Sequence, residues 1–229
     1  MDRPLTYRII RSKRRKRTLS LYIEHDGSVV IRAPTRVPAR AIEEFFNAKK
    51  PWICKRLGQM SVGQMEQKPK RFSSGEEFLY LGRRYQLATI ENTDHRPPLS
   101  FADDTFCLDV RFQEKAKDLF VRWYQEQAGI KIRERLQFFG HQMQVSPERE
   151  RITSARCQWG GCSSKNIVSF SWRLIMAPLS VIDYIVVHEL AHIREKNHSP
   201  SFWKVVETTL PDYRSRRDWL KRYGYLLNV

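Results

Sequence analysis

The chain is poor in the features that would place it in a membrane or in a disulfide-stapled fold. Its 229 residues include four cysteines, Cys54, Cys107, Cys157 and Cys162, scattered along the chain. That spread suits reduced thiols rather than a disulfide framework. No run of about 18 apolar residues exists, which excludes a membrane-spanning helix. The densest apolar stretch, Val181 to Val187, is short and broken by Asp183. The first residues, Met1 to Leu5, lack the apolar core of a secretory signal, so the expectation is a cytoplasmic protein with no membrane partner. Acidic residues are also scarce, 25 Asp and Glu against 41 Lys and Arg, for a formal charge of +16. The excess suits a polyanion, nucleotide or nucleic acid, and equally suits a solvated basic surface. No Gly-rich phosphate loop, no Mg²⁺-type carboxylate cluster and no internal repeat is present.

What is present is the composition of a globular protein, 41% apolar and 29% charged. A chain of this length buries roughly 70% of its unfolded surface and needs no staple to fold. Residues 5–32 alternate like strands through Tyr7, Ile9, Leu19, Leu21, Ile23 and Val29 to Ile31, with Asp26-Gly27 as a hairpin turn. The basic run Arg11 to Arg17 between the first two strands suits a phosphate-binding arm or a nuclear-type signal, but reads first as an exposed hairpin loop with edge-protecting charges and anion contact as a second use. Residues 39–58 form an amphipathic helix with Ile42, Phe45, Phe46, Trp52 and Ile53, interrupted by Pro51. Residues 59–74 are a polar connection. A second hairpin centres on Gly82, and Phe106 to Val110 is a further strand. Residues 113–143 predict a long helix carrying Ala116, Leu119, Phe120, Trp123, Ile130 and Leu136. Strands at 150–156 and 166–174 follow, and everything from Ala177 onward is helical. The expected class is α+β, with a β-rich region 1–110 and a catalytic-looking region 111–229.

The chemistry lies in Val187-His188-Glu189-Leu190-Ala191-His192. Ser180 as N-cap with Asp183 three residues on predicts the helix start, with Leu179 and Tyr184 as the hydrophobic staple. Histidines four apart lie one turn apart on one face and can grip one metal ion. Glu189 is rotated by about 100° from His188, so its carboxylate reaches a metal-bound water without becoming a ligand. With 6 His and 15 Glu in the chain, chance yields this pattern roughly once in a hundred such sequences. His198 adds a third nitrogen after the helix ends, and leaves one position open, the design of catalytic zinc. Asn197 is expected to end the helix in a left-handed conformation, and Ser199-Pro200 to start the next one. Glu195 stands where metzincins have glycine, which argues against that group. His25, His95 and His141 read as ordinary surface residues, and Cys157 and Cys162 as packing thiols.

The pattern Asp183 to His192, with His198-Ser199 and Phe202-Trp203, resembles the YgjP-like metallopeptidase family. The resemblance extends to the basic N-terminal strands, Trp52, Leu81-Gly82 with Tyr85, Pro211-Asp212-Tyr213 and Trp219-Leu220. The family is related to SprT-like and WLM-type zinc proteins, which implies a small zincin-like, gluzincin-type core with a long backing helix and a small sheet. It also implies His188, His192 and His198 as ligands of one Zn²⁺ per chain, with Glu189 as catalytic base. Relatives read Arg-Trp-Gly-Ser-Cys where this chain has Gln158-Trp159-Gly160-Gly161-Cys162.

The expected function is metal-assisted hydrolysis of a peptide or protein, with zinc-bound water activated by Glu189. An oxyanion donor is needed. Tyr213 ranks first, ahead of Arg214 and Tyr184. Two alternatives use the same site: a UTP pyrophosphatase, as YgjP-type proteins are also described, and a DNA-associated SprT-like protease. Nothing in the sequence sets an oligomeric state.

Overall fold

In the computed structural model, which describes residues 5–13, 16–24, 27–58, 70–91, 97–156 and 158–229, the N-terminal alternation becomes three strands. These are β1 (Tyr7–Ser12), β2 (Ser20–Ile23) and β3 (Val29–Pro34). β3 is central, antiparallel to β2 and parallel to β1. The expected β1–β2 hairpin is therefore not formed. β3 is the most apolar of the three, with Val29, Val30, Ile31 and Ala33 all buried, so it takes the position paired on both sides. The basic β1 is left at an edge, where charge guards against further pairing. Arg11 has a structural use instead: its guanidinium donates to the carbonyls of Pro34 (3.1 Å) and Val37, at the turn into the first helix. Gly27 closes the β2–β3 turn with φ 84°. Arg14, Arg15, His25, Asp26, His95 and Cys157 lie outside the described residues, as does most of the 59–74 connection.

Helix α1 (Ala39–Gly58) contains Pro51 and buries Ile42, Phe46 and Ile53 against Val29, Ile31 and Ala33. Trp52, expected on that face, is 50% exposed, because one residue from Ile53 means a rotation of about 100°. This small core belongs to residues 1–68, and a second compact unit comprises residues 69–229. The division falls well before the expected 110/111 boundary. The reason is that β4 (Glu77–Tyr80), β5 (Arg83–Ile90), β6 (Leu99–Ala102) and β7 (Thr105–Asp109) share one core with the helices that follow.

Those four strands form a sheet of order β4-β5-β7-β6. The hairpin at Leu81-Gly82 is as expected, with both residues at positive φ (46° and 81°). Its amides donate to the carbonyls of Ile175 and Met176, so the turn is pinned to the segment just before Pro178. A 3-10 turn (Val110–Lys115) leads into α2 (Ala116–Met143). α2 buries Phe120, Tyr124, Ala128, Ile132 and Leu136, at four-residue spacing. Ile130, expected inside, is 55% exposed because the buried stripe passes through its neighbours 128 and 132. Phe120 stacks on Phe78 (4.1 Å between centroids), and the Tyr124 hydroxyl donates to Leu79 O (2.7 Å).

The third sheet has the order β8-β10-β9, from β8 (Arg149–Thr153), β9 (Gly160–Cys162) and β10 (Ile167–Ser171). β10 is parallel to β8 and antiparallel to β9. The short β9 was not expected, since a Gly-Gly pair gives no strand periodicity. A buried 3-10 turn (Trp172–Met176) then leads to α3 (Leu179–Arg194), α4 (Pro200–Thr209) and α5 (Tyr213–Tyr223). α3 is buried on nearly every side. Its start differs from expectation. Pro178 is the N-cap and Ser180 already lies inside the helix, because the fixed φ of proline suits it to a helix start. The staple is also absent, since Leu179 points outward at 37% exposure. Asp183 serves tertiary structure instead, accepting from Arg135 Nε (2.6 Å) and Nη2 (3.2 Å) and so bolting α3 to α2. Among the described residues, no helix is long and apolar enough to cross a membrane.

Candidate metal centre

The helical spacing of His188 and His192 sets their rings one turn apart on α3. His198 comes back to them because the helix stops at Arg194, with Glu195 extended (φ −122°, ψ 102°). Asn197 is not left-handed, contrary to expectation, since the extended Glu195 already breaks the helix. Ser199 does cap α4 as expected, its hydroxyl accepting from Phe202 N (3.3 Å) with Pro200 following. The result is convergence: His198 Nε2 lies 3.0 Å from His188 Nε2 and 3.2 Å from His192 Nε2. These three are the group among the described residues able to hold a metal ion.

The electronic state of the rings suits a cation. His192 Nδ1 lies 3.0 Å from the carbonyl of Glu195. A carbonyl only accepts, so the proton sits on Nδ1 and the Nε2 lone pair faces the other rings. Burial, reinforced by the other two imidazoles, holds His188 down to about 3, and burial also lowers His198. Neutral imidazoles are the metal-binding form. Nitrogens of three imidazoles brought this close together fit a shared divalent ion. Phe202 forms the floor, its ring 4.4 to 4.9 Å from all three histidine rings. Trp203 lies 5.8 Å from His188 and His198.

Glu189 is buried, and its Oε2 has no hydrogen-bond partner. Burial pushes its carboxyl up to about 8, and a cation among the imidazoles would pull it back down. The space it occupies is created by Gly160 of β9. A Cβ at Gly160 would meet Glu189 Oε1 and come within 2.8 Å of its Cγ and Cδ. Sequence reasoning missed this residue. The signal was there, since glycine inside a strand marks close approach of another group. Gly161, one of the departures from the family pattern, faces the Ser169 hydroxyl, which donates to Gly161 O (3.2 Å). Gln158, the other, is exposed.

The phenols are less symmetric than the sequence suggests. Tyr184, one turn before His188, sets its ring 5.9 Å from that imidazole. Burial pushes its hydroxyl up to about 12, with Arg217 opposing. Tyr213 has ring contacts with Trp203 (5.3 Å) and Tyr184 (6.5 Å) and none with the histidines. Arg214 pairs with Glu207 (3.1 Å) at the surface. His141 is exposed on α2, and Cys162 is a half-buried free thiol whose burial raises its pKa.

A family model described as "YgjP-like, metallopeptidase domain" matches residues 17–223. No curated protein matches the chain. Among solved structures, the metallopeptidase zymogen of Pyrococcus abyssi abylysin is similar at 22% identity. That match covers 38% of this chain and 89% of the other, with a TM-score of 0.36.

Proposed function

Since the chain belongs to the YgjP-like metallopeptidase family, we propose that it is a zinc-dependent peptidase using one metal ion held by His188, His192 and His198. The observation that carries this is the meeting of three imidazole Nε2 atoms beside a buried, unpartnered carboxylate. When bound, the metal supplies Lewis-acid polarisation of the scissile carbonyl and of water; three nitrogen donors with an open position suit zinc. Glu189 takes the proton of the attacking water and returns it to the leaving amine. Tyr184, kept protonated by burial and beside His188, is the better placed donor to the developing oxyanion. Tyr213, placed behind Trp203, steadies that wall.

A peptide substrate is favoured by β9. It is an edge strand of its sheet and carries Gly160 against Glu189, so its open side can pair with an extended chain next to the base. The pyrophosphatase alternative finds no second group of metal ligands among the described residues. The DNA-associated alternative rests on the net charge and on the SprT-like relationship.

The test is metal content per chain after gel filtration, with peptide cleavage, for the wild type, His198→Ala and Glu189→Gln. About one zinc per wild-type chain, sharply less in His198→Ala, and metal retained without turnover in Glu189→Gln is the expected result. Turnover surviving in Glu189→Gln would sink the assignment. Metal-dependent pyrophosphate release from UTP, lost in His188→Ala, would move the site to the nucleotide reading.

A further inference from the structure

The N-terminal half of α5 carries Arg214, Arg216 and Arg217, and they are used differently. Arg214 pairs with Glu207. Arg216 is spent on Asp212 (2.9 Å) and on the carbonyl of Ser180 (3.1 Å). Among the described residues Arg217 has no hydrogen-bond partner, and its Nε is buried without one. Its nearest carboxylate oxygen, on the adjacent Asp218, is 3.7 Å away, beyond hydrogen-bonding range, and Asp218 is shared with Lys221 at 3.5 Å. A guanidinium carries five donors in a planar fork, and with the Arg217 side chain 34% exposed its outer nitrogens face solvent, where a ligand can take them.

The position of that fork matters. The Arg217 guanidinium carbon lies 5.7 Å from the Trp203 ring and 5.9 Å from the Tyr213 ring, which stack on each other. Trp203 in turn touches the rings of His188 and His198. The charge therefore stands two ring contacts from the metal centre. An extended peptide advances roughly 3.3 to 3.6 Å per residue, so a group two or three residues from the scissile bond can span that distance. The field of Arg217 also reaches the Tyr184 hydroxyl, lowering its pKa against the effect of burial.

We infer that Arg217 forms a carboxylate-binding subsite of the metal cleft, selecting peptides that carry a negative charge within a few residues of the bond to be cut. A carboxylate fits because it accepts two parallel N–H bonds from the fork. The aromatic stack beneath holds the guanidinium flat and keeps its nitrogens from coiling back on the protein. The carboxylate belongs to an acidic side chain or to a free C-terminus. This inference rests on the peptidase reading for its setting, and its test is separate from it.

The experiment is calorimetric binding to metal-loaded Glu189→Gln protein of acetylated octapeptides scanned with Glu or Gln, all C-terminally amidated. A second arm compares free-acid with amide ends on Gln peptides. Binding stronger by about ten- to a hundredfold for the carboxylate member of one pair is expected, and the arm in which it appears identifies the source. Adding Arg217→Gln should erase that preference, Arg217→Lys should keep part of it, and Arg214→Gln should keep all of it. Equal binding of every matched pair, or a preference that survives Arg217→Gln, overturns the subsite, including where the wild type cleaves peptides. Carboxylate-selective binding without wild-type cleavage would uphold the subsite and overturn the peptidase reading.

Discussion

Residues 1–68 and 69–229 differ in how densely they carry basic side chains and in how much core they have. The first unit carries 16 Lys and Arg against 6 Asp and Glu, while the second carries 25 against 19 in more than twice the length. The first has one small core of six buried residues around Ile31 and Ile42. The second has a continuous core extending from Phe72 to Leu227. Only the large core can enclose α3 on nearly all sides and keep Glu189 and His188 away from water. Charge alone produces a field, whereas a site with shifted protonation equilibria requires enough apolar mass to exclude solvent.

That contrast can be broken or sharpened by experiment. The largest expected effect is in the smaller unit. Ile31→Ala should cost about 3 kcal/mol and lower amide protection in β2 and β3 about a hundredfold. Metal content should stay unchanged, and loss of metal in that variant would show that the two regions are not separable. In the larger unit, Asp183→Ala leaves Arg135 without its bidentate partner. Urea unfolding followed by tryptophan fluorescence should register about 2 to 3 kcal/mol less stability. An effect within a few tenths would mean that the α2–α3 bolt carries no net energy.

Gly160→Ala probes the site with less effect on the fold. The added methyl must move the Glu189 carboxylate, so turnover should fall about tenfold to a hundredfold while metal content holds. Unchanged turnover would detach β9 from the mechanism. The smallest effect concerns acid stability at the surface. Arg133 donates to Glu150 (3.0 Å) and holds that carboxyl below its ordinary value. Because the folded pKa is depressed, the contribution is present above the unfolded value and is lost as pH falls through the folded one. Glu150→Gln should therefore flatten the pH dependence of stability slightly below about pH 4.3, with a small loss of stability at neutral pH that vanishes in acid.

Much of the larger unit was legible in the sequence because its signals are local. The four-residue spacing of histidines, the Ser199-Pro200 start and the Leu81-Gly82 turn depend on neighbours along the chain, and each appears where expected. The failures share a cause. β1 pairing with β3 instead of β2 was decided by which strand is most apolar along its whole length. Ser180 and Asp183 spell a capping signature, yet Asp183 is taken by Arg135 from a helix far away in sequence. Trp52 and Ile130 fit an apolar pattern but sit just off the stripe that the packing selects.

The sequence by itself determined the candidate metal ligands, since a helix of 3.6 residues per turn allows no other placement of His188 and His192. It also pointed to Glu189 between them as the candidate base, and to a mixed α+β class of fold. Only the tertiary structure decided that Gly160 makes room for Glu189, that Tyr184 rather than Tyr213 touches His188, and that Arg217, unlike Arg214 and Arg216, has neither a close ion pair nor a hydrogen bond among the described residues. Those three depend on contacts between separate elements, and such contacts follow from how whole faces pack together, which no local spacing encodes.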